Sequence, residues 1–171
     1  MTNPPPHSLA AAYQMLEQFG STPEAAKAFL VQEKAAFEAR IAQNQAVWLE
    51  PRGEGVWSVA QIVEHVILVS SLFVRSIEVF KRTELPDIAT PKGVFKEGKP
   101  QSPPRGLPSA GKTWAELEPL WEATHTHLLE LIDSTHWEDT RTLEHPFFGP
   151  LRPLQWLQCV NYHTHHHRLQ F

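Results

Sequence analysis

The sequence predicts an all-α protein, a four-helix bundle with one long crossover. Three observations carry this. Four long segments repeat apolar residues at three- and four-residue spacing. Several of them open on capping residues, and no stretch sustains strand alternation. One proline- and glycine-rich stretch, residues 83–112, separates the second long segment from the third.

The elements follow in order. Residues 1–7 hold three consecutive prolines and are expected to be loose. Residues 9–19 predict a short helix closed by Gly20, so 1–20 reads as a partly flexible segment and 21–171 as the bundle domain. Thr22 can cap the next helix with Pro23 at its first position, and Ser21 with Glu24 is an alternative capping box. This helix should reach about Trp48, with Leu30, Phe37, Ile41 and Trp48 as its buried stripe. Residues 51–55 break it.

Ser58 with Gln61 starts a helix predicted over 59–82. It is apolar on more than one face, which marks a central position. His65 shares a stripe with Ile62, Val69 and Leu72 and should point inward. Residues 83–112 have no period and read either as a cover over a site or as a passive crossover. Thr113 with Glu116 opens a third helix running to about Asp133; Pro119 should kink it or mark its true beginning. Residues 140–150 form a connector with room for a short extended piece. Pro153 then opens the last helix, on which Trp156, Val160, His163 and His167 share one face. Arg152, before that proline, has no side-chain acceptor, so this helix start should be weak.

A length of 171 residues suits one domain with a full core. The net charge of -4 offers no basic field, which argues against a nucleic-acid partner. Cys159 is the sole cysteine, so no intramolecular disulfide can form, as suits a reducing cytosol. No signal segment is evident and no apolar run nears ~20 residues, so no membrane span is expected. A cytoplasmic location is the expectation.

The chemistry concentrates in histidine. His163 and His167 are four apart, which stacks two imidazoles about 6 Å apart on one helix face. With His65 they suggest a metal site between two helices. Three neutral imidazoles leave coordination positions free, the composition of a catalytic site. Imidazole suits zinc, nickel, iron or copper; zinc or nickel is expected first, with iron or manganese further candidates. His165 and His166 should face solvent or a dimer partner. His125 reads as a packed residue, with a fourth ligand or substrate-side base as the alternative. His145 should help hold its turn, or else support the ligands from behind. Glu64 should aim away from His65, Gln170 lies off the ligand stripe, and Cys159 reads as a buried inert thiol.

Trp57-Ser58 ahead of His65, then His163-x-x-x-His167-Arg168-x-Gln170, resembles the DinB-like superfamily of bacterial four-helix proteins. His145-Pro146-Phe147-Phe148-Gly149 is similar to a segment of one uncharacterised subgroup. The resemblance covers roughly residues 24–171. It implies an up-down-down-up bundle, homodimers, and a divalent metal held by His65, His163 and His167 with water in the other positions. Related families include thiol-dependent transferases and isomerases.

Three functions compete on this reading. One is a metal-dependent enzyme, a hydrolase or thiol-dependent transferase acting on a small molecule. The second is a non-catalytic metal-binding or stress-response bundle. The third is a structural bundle with an incidental histidine cluster.

Overall fold

The computed structural model describes residues 8–87, 89–97 and 99–171. The expected loose end, residues 1–7, lies outside the described residues. Among the described residues there are five α-helices: α1 (Leu9–Glu17), α2 (Pro23–Gln43), α3 (Val59–Val79), α4 (Trp114–Ser134) and α5 (Pro153–Arg168). Two antiparallel ribbons join them, β1 (Phe95–Lys96) with β2 (Lys99–Pro100), and β3 (Leu143–His145) with β4 (Gly149–Leu151). The sequence pointed to a short extended piece only near β3 and β4. Strands of two or three residues cannot display an alternation, so β1 and β2 carry no periodic signal.

Capping chemistry sets the helix starts. Thr22 Oγ1 accepts from Ala25 N–H at 3.2 Å. Ser58 and Gln61 close a reciprocal box, with bonds of 3.0 and 3.3 Å. Glu116 accepts from both the amide and the hydroxyl of Thr113, each at 2.8 Å. At α5 only half a box forms: Gln155 Oε1 accepts from Arg152 N–H at 2.9 Å, and Arg152 offers no acceptor in return. Helix α2 ends earlier than the apolar stripe suggested, and a 3₁₀ turn over Gln45–Val47 carries the chain to the buried Trp48. Pro119 lies inside α4 rather than at its beginning. The bond it cannot make would go to Ala115, which is exposed, so water can take its place.

Side-chain pairings between helices give the topology. Lys27 meets Asp133 and Lys34 meets Glu122, so α2 and α4 are antiparallel. Asn161 reaches Ala26 and Arg168 reaches Glu33, so α2 and α5 are parallel. Gln61 bonds to Ser109 just before α4, and Lys81 just after α3 bonds to Ser134, so α3 and α4 are parallel. The order is up-down-down-up, and the parallel α3–α4 pair requires the long crossover. Helix α5 packs against both α2 and α3, and α1 packs against α5. Leu16 of α1 is fully buried with Leu30, Ile77, Leu128 and Leu157. Phe37, Ile62, Val66, Leu117 and Trp121 fill the other end of the bundle.

Gly20, between α1 and α2, has φ +117°, and a Cβ there would lie 2.3 Å from the Ala26 backbone. A Gly20→Ala substitution is expected to cost about 3 kcal/mol, combining backbone strain with the clash. Urea unfolding of the variant checks this.

Candidate metal centre

The antiparallel crossing of α3 and α5 brings the second turn of α3 against the last two turns of α5. His65 comes from the first, and His163 and His167 from the second. One ring nitrogen from each lies within 4.8 Å of the other two, and among the described residues this is the one such cluster. His65 Nε2 and His163 Nε2 are 3.1 Å apart. Two nitrogens bound to one tetrahedral ion at ~2.0 Å sit about 3.3 Å apart, so the spacing fits a shared ion.

The far sides of the rings fix their protons. His65 Nδ1–H donates to the Gly106 carbonyl at 2.6 Å. His167 Nδ1–H donates to Gln170 Oε1 at 2.8 Å. Each bond leaves the Nε2 of its ring with a free lone pair, the form that ligates. His163 Nδ1 is enclosed and has no partner. Burial lowers all three pKa values, and repulsion from neighbouring histidines adds to it; His167 falls to about 3, and His163 lies well below its ordinary value. The cluster is therefore uncharged at neutral pH without any proton release.

Gly106 reaches His65 because residues 104–112 lie across the start of α3. A Cβ on Gly106 would meet Val69 at 2.9 Å and Ser102 at 2.7 Å. Glu64, next to His65, does point elsewhere: it takes bonds from Ser109 and an ion pair from Lys112 at 2.7 Å. Burial opposes ionisation of Glu64, but these partners hold its carboxyl below the usual range. Neighbouring residues of α3 thus tie the crossover down at two points.

The cluster opens into a cavity of about 1160 Å³ with mostly apolar walls, among them Trp57, Val69, Phe73, Phe147, Phe148 and Trp156. Trp57 lies 4.7 Å from the His65 ring, and Phe73 lies 5.9 Å from His163.

The remaining histidines divide. His125 is buried in the core, where its Nδ1–H donates to Trp121 O at 2.9 Å, away from the cluster. His165 and His166, expected to face solvent or a dimer partner, are each half-buried and make contacts within the chain. His165 pairs with the buried Glu33 at 3.1 Å, and His166 lines the cavity and contacts Gln170. The reason is that α1, α2, α3 and β4 together cover most faces of α5. Gln170 lies off the ligand stripe, yet it curls back onto His167. Arg168 binds Glu33 and secures this end of α5 to α2. Both residues belong to the Arg-x-Gln that follows His167, which does not by itself tell which side chains they meet. His145 holds its turn by accepting from Phe147 and Phe148 amides, and it also lines the cavity. Cys159 is buried, which pushes its thiol pKa well up and keeps it inert.

A sequence model of the DinB superfamily matches residues 30–171. The chain belongs to the DinB superfamily. Among proteins of curated function none matches it. It is similar to a crystal structure of TT2238, a four-helix bundle protein, at 25% identity and a TM-score of 0.65. That likeness covers 87% of this chain and 97% of TT2238. Among the described residues no helix of this DinB protein is long and apolar enough to cross a membrane.

The buried histidines predict a pH dependence. His145 and His167 have folded pKa values near 3, against an ordinary 6.5. Below pH 6.5 the unfolded chain binds protons that the folded chain refuses. Stability is therefore complete above pH 6.5 and is lost as pH falls toward 3, by about 1.4 kcal/mol per pH unit for each of the two groups. Urea titrations of metal-free protein between pH 7 and 4 check the slope.

Proposed function

We propose that this DinB protein binds a divalent metal ion through His65, His163 and His167 and is a metal-dependent enzyme of the hydrolase or thiol-dependent transferase type. One observation carries the reading: three neutral imidazoles converge on one point, and that point opens into a large apolar cavity. A closed structural site would use four protein ligands and would need no cavity.

A bound ion would lower the pKa of a coordinated water or thiol toward neutrality. Three imidazoles suit zinc or nickel, and also iron or copper. The chain supplies the rest. Gly106 O and Gln170 Oε1 orient His65 and His167 by holding their Nδ1 protons. Trp57 and Phe73 shield the ligand rings from water. The apolar cavity walls would take the body of a small molecule and lower the dielectric around the reacting atoms.

Metal analysis by plasma mass spectrometry tests the site. Untagged protein is expected to carry about one equivalent of metal per chain, and His65→Ala and His163→Ala to lose it. Metal retained in both variants overturns the site. A metal that binds but supports no turnover of esters, amides or thiol acceptors favours the binding-protein reading over the enzyme. Gln170→Ala removes only an orienting partner. It is expected to keep the fold and weaken metal affinity by about 10- to 100-fold in a chelator competition.

A further inference from the structure

The β3–β4 hairpin brings to the cavity wall a histidine that the metal site does not use. His145 ends β3 and pairs across the ribbon with Gly149. Its Nδ1 accepts from the Phe147 amide at 3.1 Å and the Phe148 amide at 3.2 Å. A nitrogen that accepts two amide protons carries none of its own, so the neutral ring holds its proton on Nε2. The surrounding chain fixes the ring's position. Tyr13 donates to Pro150 O at 2.5 Å, and the Gly93 amide donates to Pro146 O at 2.8 Å. The ring stacks on Phe148 at 4.8 Å and leans on Trp156 at 5.1 Å. It is 7% exposed, and it lines the same cavity as the histidine cluster. Phe73 stands between the two, 5.8 Å from His145 and 5.9 Å from His163. Burial drives the pKa of His145 to about 3, so the ring stays neutral through the physiological range.

We propose that His145 Nε2–H is the donor that holds an oxygen of the molecule bound in this cavity. That molecule has an aromatic or branched aliphatic body and a carbonyl or carboxylate group. The proposal rests on the function proposed above only for placing the reacting end of the ligand beside His65, His163 and His167. The apolar walls account for the body of the ligand. A neutral imidazole locked by two backbone amides meets an oxygen without reorganising, and its bond strengthens as negative charge develops there. Because the ring cannot become cationic at neutral pH, it donates a hydrogen bond and does not transfer a proton. His145 is thus a ligand-contacting residue and not a general acid.

Two variants separate the ring's structural task from its donor task. His145→Asn keeps an acceptor near Nδ1 for the two amides and removes Nε2–H. His145→Gln places an amide N–H near the Nε2 position. Benzohydroxamate, a chelator with an apolar ring, is the probe for zinc-loaded protein, and phenylacetate is the probe for metal-free protein. Expected is a wild-type melting temperature and metal content for His145→Asn, with about tenfold weaker binding of benzohydroxamate. His145→Gln recovers part of that loss. Nitrogen-15 spectra of histidine-labelled wild type should show the Nε2-protonated form of His145, with Nε2 shifting as either probe binds. An affinity deficit for phenylacetate in metal-free His145→Asn supports the donor even where the metal assignment fails. A proton found on Nδ1, a His145 Nε2 signal unmoved by both probes, or wild-type affinity in His145→Asn overturns the proposal.

Discussion

Helix α5 is covered on most faces while carrying a long series of polar side chains, and where those side chains find partners decides how the bundle is assembled. Gln158 donates to Gly20 O at 2.7 Å, and Asn161 donates to Phe19 O and Ala26 O at 2.9 and 3.0 Å. These bonds seat α5 on the α1–α2 turn. His165 and Arg168 then share the buried Glu33 of α2. A polar group buried without a partner costs about 1–3 kcal/mol, so each of these contacts excludes other registers of α5 against α2. With that register set, His163 and His167 can meet only the start of α3, where His65 stands. The histidine cluster is in this sense a product of hydrogen bonding on the opposite face of the same helix.

The crossover is bound to the site as well. Parallel α3 and α4 need a long connection, and a passive one could run anywhere on the surface. Here Glu64 and His65, adjacent in sequence and about 100° apart around the helix, each hold a different part of it. Gly106 lies close enough to α3 for its carbonyl to accept the His65 proton, and a side chain there would prevent the approach. The segment therefore joins two helices and orients the His65 ring with the same few residues.

The cavity combines two kinds of histidine. His65 and His167 give their Nδ1 protons to oxygen acceptors and turn Nε2 lone pairs inward. His145 does the reverse, accepting at Nδ1 and turning an Nε2 proton outward. The backbone makes the difference: a carbonyl behind the ring selects one tautomer, and a pair of amides selects the other. Acceptors and a donor thus border one mostly apolar space while every one of these histidines stays uncharged.

Much of this was legible in the chain alone. Helical periodicity and the caps at Thr22, Ser58 and Thr113 determined the four long helices, because both signals are local and act within one or two turns. The spacing of His163 and His167 determined a pair on one face, and the inward stripe of α3 marked His65. The sequence could not say that α5 would be covered on most sides, so it leaves His165 and His166 facing solvent or a dimer partner. Nor could it place Gly106 behind His65 or Gln170 behind His167. Those contacts join residues that are 41 positions apart or that lie past a helix end, where no periodicity reaches. Local sequence determined the helices and the histidine pair. Only the packed bundle decided which oxygen stands behind each ring, since that depends on how separate elements meet.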